Sequence, residues 1–119
     1  MLELFKALAD ETRLRILSQI LKNEMCVCEI EAALGLTQSN ASRHLTALKR
    51  AGILDSYRSA QWTHYKISDK FIEENRQLYD YLLTEIAKLP CYKTDCEGYR
   101  QCRLKDLCGC VNNKEEVLV

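Results

Sequence analysis

The sequence predicts a mainly α (α+β) fold of the winged helix-turn-helix class: helices, a two-stranded β-hairpin wing, a C-terminal helix and a Cys-rich tail. Three observations carry that reading. Two short amphipathic segments flank a glycine turn at Gly35. Two β-rich runs, residues 53–58 and 62–67, follow directly. Positive charge gathers on the same stretch: residues 37–66 hold five basic groups against Asp55 alone, net +4, while the segments before and after are each net −2.

Each element carries its own signal. Residues 2–8 place Leu4, Phe5 and Leu8 on one side of a short helix. Asp10 is an N-cap for the next, along which Leu14, Leu17 and Leu21 recur at helical spacing, widened by Ile16 and Ile20. A third helix over residues 27–34 aligns Val27, Ile30, Ala33 and Leu34, and Gly35 closes it. Thr37 caps a fourth, in which Ala41, Leu45 and Leu48 form a buried stripe and Ala51-Gly52 the end. The link Ser59-Ala60-Gln61 joins the two strands, with Trp62 and Tyr65 expected to anchor the wing. Asp69 caps a long helix through Leu89, with Phe71, Leu78, Leu82 and Leu89 on one seam, and Pro90 stops it. Residues 1–90 read as the folded domain and 91–119 as a tail holding five of the seven cysteines.

Composition narrows the function. At 119 residues, 47% hydrophobic and 29% charged, the chain is one soluble domain's worth. Its net charge is zero, so only the local basic stripe argues for nucleic acid. No apolar run approaches the roughly 20 residues of a membrane span, and the opening Met1-Leu2-Glu3-Leu4 lacks the pattern of a signal peptide. The expected location is the cytoplasm, with no membrane partner. In a reducing compartment, seven clustered thiols read as metal-binding or redox-active rather than as disulfides. No C-x-x-C occurs and no Cys–His pair adjoins a candidate pocket, which argues against an enzyme.

The fourth helix is the candidate reader of double-stranded DNA. A recognition helix presents its N-terminal residues to base edges in the major groove. Here these are Gln38, Ser39 and Asn40, with Ser42, Arg43 and Thr46 on the same polar side. Gln and Asn bond adenine bidentately, and Arg reaches guanine or phosphate. Lys49, Arg50 and the wing's Arg58 are placed for phosphates. His44 is expected to be a structural histidine bonded to backbone, and His64 an exposed strand residue.

At this point a family resemblance becomes visible. Residues 8–17, LADETRLRIL, resemble the opening box of the ArsR/SmtB family of metal-responsive repressors, and Met25-Cys26-Val27-Cys28-Glu29-Ile30 is similar to its C-V-C metal box. The pattern continues through QSNASRHL at 38–45 and LKRAGI at 48–53, so the resemblance spans roughly residues 2–89. It implies a homodimer paired through the first and last helices, repression of its own arsenical-resistance operon at a twofold operator, and release when an ion binds. Three features depart from known subtypes. Glu31 stands where enterobacterial arsenic sensors place a third cysteine. The N-terminal extension that supplies thiolates in cadmium/lead sensors is not expected here. Residues 69–89 hold no His for the zinc site of the last helix.

The cysteines suit soft ions. Cys26 and Cys28 flank the start of the third helix, where side chains two apart point about 200° from each other. Joint chelation is therefore expected to require local unwinding, which would disturb the element under the recognition helix. Trivalent arsenic takes three thiolates and cadmium or lead three or four, so one or more of Cys91, Cys96, Cys102, Cys108 and Cys110 is expected to join. A separate tail site stays open. As(III) leads as effector, with Cd(II), Pb(II) or Zn(II) behind it. A thiol-redox or reactive-sulfur trigger is the runner-up, and a DNA-binding module indifferent to metal the remaining alternative.

Overall fold

The computed structural model describes residues 2–105, with side chains through residue 102. Helices α1 (Leu2–Leu8) and α2 (Glu11–Ile20) precede a short strand, β1 (Met25–Cys26). Helices α3 (Val27–Leu34) and α4 (Gln38–Arg50) form the helix-turn-helix, and strands β2 (Leu54–Ser59) and β3 (Trp62–Ile67) the wing. Helices α5 (Asp69–Glu74) and α6 (Arg76–Glu85), a 3-10 turn (Ile86–Lys88) and α7 (Tyr92–Lys105) follow. No helix of the described residues is long and apolar enough to cross a membrane.

The caps behave as their chemistry dictates. The Asp10 carboxylate accepts from the Arg13 N–H (3.1 Å) and Thr37 Oγ1 from the Asn40 N–H (3.2 Å). Gly35 closes α3 with φ +68°, a left-handed conformation in which a Cβ would be strained. The expected three-residue link is tighter by one residue: Ser59 pairs with Trp62, leaving Ala60 and Gln61 as the turn, with Ala60 held at φ +56°.

Four expectations are corrected. The sheet has three strands in the order β1-β3-β2, because Met25 and Cys26 pair antiparallel with Tyr65 and His64. A two-residue strand leaves no alternation to read. The long helix is broken at Asn75 (φ −130°, ψ 44°), which ends α5 and begins α6. Its N-cap is Ser68, whose Oγ accepts from the Phe71 N–H (3.3 Å), not Asp69. Finally, the segment read as tail contains α7. Cys108 and Cys110 lie outside the described residues.

The core gathers Ile16, Leu17 and Ile20 from α2, Ile30 and Leu34 from α3, Leu45 and Leu48 from α4, and Phe71 and Leu82 from α5 and α6. Burying each such side chain contributes about 1.5–3 kcal/mol. Helix α7 lies mainly on α3 and also touches α2. Asp95, Gly98 and Cys102, at i, i+3 and i+7, define its inner face. Asp95 (1% exposed) forms a two-pronged ion pair with Arg15, Nε to Oδ2 at 3.0 Å and Nη2 to Oδ1 at 2.9 Å. Arg15 Nη2 also donates to the Leu34 carbonyl (3.0 Å), so one guanidinium ties α2 to the end of α3 and to α7. At Gly98 the helices nearly touch, and an added Cβ would stand 2.1 Å from the Ala33 carbonyl oxygen.

Gly98→Ala is therefore expected to destabilise by about 1–3 kcal/mol through overpacking, despite the gain of about 1 kcal/mol in helix propensity. Thermal unfolding and amide exchange in α7 check this; an unchanged or raised stability contradicts the close crossing.

Candidate DNA interface and thiol site

The face of α4 expected to read DNA is open. Gln38, Ser39, Asn40, Ser42, Arg43, Thr46, Lys49 and Arg50 are all exposed, while Ala41, His44, Leu45 and Leu48 face the core. Arg43 Nη2 donates to Asn40 Oδ1 (3.3 Å), so two candidate base readers brace each other. Lys49 Nζ donates to Ser56 Oγ (2.6 Å), linking the end of α4 to the wing. Arg58 is exposed on β2, with Nη2 near the Gln61 carbonyl (3.5 Å). Arg43, Lys49 and Arg50 on α4 and Arg58 on the hairpin are thus exposed basic groups joined through the Lys49–Ser56 bond, whereas Lys66 pairs across the strands with Asp55, on the sheet face opposite to Arg58, and lies 3.6 Å from Asp69.

The thiol pair sits where β1 becomes α3. Cys26 has extended backbone (φ −81°, ψ 162°) and is itself the N-cap of α3. Its Sγ accepts from the Glu29 N–H (3.4 Å), and Glu29 Oε1 accepts from the Cys26 N–H (2.9 Å), a capping box built with a thiol in place of a hydroxyl. Cys26 Sγ and Cys28 Sγ stand 2.9 Å apart. The expectation that the two side chains diverge by about 200° is thereby corrected: it holds only when both residues are helical, and Cys26 is not. No unwinding is needed to bring the sulfurs together. Backbone N–H groups at a helix start favour negative charge, and hence thiolate.

The tail cysteines divide. Cys102 is fully buried on the inner face of α7. Along α7, Asp95 lies near Leu34 through Arg15 and Gly98 lies over Ala33, so the helix runs back along α3 toward its N-terminal thiols. Cys96 instead faces α2, with Lys22 Nζ at 3.4 Å and Gln19 Nε2 at 3.6 Å from its sulfur. Cys91 lies beside the Arg15–Asp95 pair, and burial, with the Asp95 carboxylate, pushes its thiol pKa up. Among the described residues no group of three or more His, Cys, Asp or Glu is arranged to hold an ion. Among the described residues, the cysteine sulfurs shown in contact are those of Cys26 and Cys28.

Residues missed by the sequence reading surround this pair. His64 is 2% exposed rather than open, because β1 covers the second edge of β3 and places Cys26 opposite it. Tyr57 stacks on its other side (5.2 Å between ring centres, 16° between planes) and donates its hydroxyl to Glu24 Oε1 (2.5 Å). That carboxylate pushes the Tyr57 pKa up to about 12, so the phenol stays a donor. Glu29 had a legible signal in its three-residue spacing from Cys26. His64 and Asp95 had none, since their partners are remote in sequence.

The Bacterial regulatory protein, arsR family model matches residues 10–56. The chain is 48% identical over 64 residues to an arsenic resistance transcriptional regulator of Pseudomonas putida, covering 53% of this chain and 50% of that one. It thus spans half the length of that curated relative. Among solved structures it is similar to HlyU from Vibrio cholerae (36% identity, TM-score 0.61, 76% of this chain and 90% of that one). It is also similar to the homodimeric winged helix-turn-helix DNA-binding domain of a possible ArsR-family transcriptional regulator from Mycobacterium bovis (30%, TM-score 0.60, 71% and 78%). These are DNA-binding or transcriptional proteins rather than enzymes.

Behind the recognition helix, His44 is bonded to a side chain and not to backbone. Arg13 Nε donates to His44 Nδ1 (3.2 Å), with Asp10 Oδ1 4.0 Å away. Arg13 belongs to α2, so this contact locks α4 to the core by a polar bond that needs a neutral imidazole. Burial, helped by Arg43 and Arg13 against the opposing Asp10, lowers the His44 pKa from its ordinary 6.5. The unfolded chain then binds the proton more readily, so this contribution is complete above pH 6.5 and is lost as pH falls through the depressed folded value. Unfolding free energy measured from pH 7.5 to 5 is expected to decline more in wild type than in His44→Gln; parallel curves contradict the latch.

Proposed function

The chain belongs to the arsR family of bacterial regulatory proteins, and on that premise we propose that it is a homodimeric transcriptional repressor that leaves its operator when thiolates bind a soft ion, As(III) foremost. The observation that carries the reading is the 2.9 Å contact between Cys26 and Cys28 at the N-terminus of α3, the helix beneath the DNA-reading helix. Cys102, buried on the α7 face against α3, is the third thiolate in this proposal. Three sulfurs match the preference of arsenite, while Cd(II), Pb(II) or Zn(II) would need a further donor such as Cys108 or Cys110. In this reading residues 1–90 carry the DNA and dimer surfaces, and the segment from residue 91 on, which includes α7, completes the effector site.

For DNA, Gln38, Ser39, Asn40, Ser42, Arg43 and Thr46 read the major groove, and Lys49, Arg50 and Arg58 hold phosphates. For dimerisation, Leu2 and Phe5 of α1 and Tyr81 and Leu83 of α6 are large apolar side chains left exposed, the pattern of a surface covered by a second copy. A second reading draws on the same sulfur contact: two thiols so placed also suit oxidation to a disulfide, which would make the trigger redox.

Two experiments test the proposal. Reduced protein is titrated anaerobically with arsenite and then cadmium while free thiols are counted, beside Cys26→Ser/Cys28→Ser and Cys102→Ser. Three thiols consumed per arsenite, with loss of the signal in the double variant and one fewer thiol in Cys102→Ser, is expected. No consumption removes the ion reading and leaves reversible oxidation as the trigger. For the DNA face, Arg43→Ala is expected to weaken binding to an operator selected from randomised duplexes by about 1–3 kcal/mol, roughly fivefold to 150-fold; unchanged affinity removes Arg43 from the interface.

A further inference from the structure

We propose that His64 carries the state of the Cys26–Cys28 pair into the wing, so that effector capture acts on DNA through strand β3 as well as through the helices. This inference rests on the ion-sensing reading above and adds to it a route of transmission.

Cys26 holds three positions at once. It is the last residue of β1, the N-cap of α3 and the cross-strand partner of His64. Directly opposed residues of an antiparallel pair project to the same face, with Cβ atoms about 4.5–5.5 Å apart. His64 is in turn the partner of Tyr57 on β2, and the two rings are stacked. Cys26, His64 and Tyr57 therefore form one row across all three strands. The row closes on itself, since the Tyr57 hydroxyl reaches back to Glu24, two residues before Cys26.

Its outer end lies in the wing, on the sheet face opposite to Arg58. Arg58, the wing's candidate phosphate contact, follows Tyr57 directly and pairs with Thr63, the neighbour of His64. At its inner end the row is held loosely, because β1 contributes only two residues to the sheet. When the Cys26 sulfur turns toward an ion shared with Cys28 and a third thiolate, it gives up the Glu29 N–H and the packing it presents to His64. A side chain 2% exposed has no solvent to retreat into, so the imidazole and the ring stacked on it must shift with it. Two discrete arrangements of this row would bias the wing as the thiols bias the row.

The test uses full-length protein, arsenite as the probe and the selected operator. His64→Ala breaks the row at its centre. Tyr57→Ala breaks it at its half-exposed outer end, where folding is not at risk, and it touches neither the thiols nor any proposed DNA contact. Three quantities are read: operator affinity without arsenite, thiols consumed per arsenite, and the factor by which arsenite weakens operator binding. Both variants are expected to bind the operator within about threefold of wild type and to consume the same number of thiols. Against a wild-type factor in the usual range of about 5–150-fold, theirs should fall at least fivefold. An undiminished factor in Tyr57→Ala overturns the proposal, as does loss of thiol consumption in a folded His64→Ala, which would make the histidine a ligand. If wild type itself consumes no thiols, the ion-sensing reading fails and this route fails with it, a result told apart from the others by the wild-type titration alone.

Discussion

The structure depends on how helix α3 begins. The first N–H groups of any helix lack intrahelical acceptors and must find others. Here one of those acceptors is a thiol. Cys26 Sγ takes the Glu29 N–H while the Glu29 carboxylate, itself fully buried, takes the Cys26 N–H. Ser or Thr would cap more strongly, but neither binds a soft ion. The same atom that starts the helix is thus the atom proposed to bind the effector, and the cap is given up when it does. Strand β1 exists for the same reason: the extended backbone an N-cap requires is already strand-like, and it pairs with β3.

The second constraint is the docking of α7. A buried ion pair is weak support for stability, because desolvation offsets much of its Coulomb energy. The Arg15–Asp95 pair is better placed than most: it is two-pronged, and the guanidinium has a third acceptor in the Leu34 carbonyl. It sets the register in which Gly98 crosses Ala33 and Cys102 is buried against α3. Removing either charge would leave the other stranded, so the pair fixes where α7 lies more than it adds to stability.

Local chemistry made much of this legible from sequence. Asp10, Thr37, Gly35 and the Ala41/Leu45/Leu48 stripe each act over a few residues, and each stands where its type predicts. The polar face of α4 was readable for the same reason. What escaped was set by contacts between remote residues. A strand of two residues has no period, so the burial of His64 by Cys26 could not be foreseen. Helix α7 has a weak apolar face, and it is held by Asp95 reaching Arg15, 80 positions away. The break at Asn75 reflects the turn the chain makes between α5 and α6, where a helical pattern continues on both sides. Cys26 and Cys28 would diverge by about 200° only if both were helical, and Cys26, one residue before the helix, is its extended N-cap.

The central claim is that the thiol pair and the DNA-reading surface are coupled through the start of α3, and coupling of this kind is reciprocal. The most direct measurement is the affinity of arsenite for the reduced protein alone and for the same protein saturated with operator. The account predicts weaker arsenite binding to the operator complex, by the same factor by which arsenite weakens operator binding. Equal arsenite affinity in the two states would show that the thiols bind without consequence for DNA, and would contradict it.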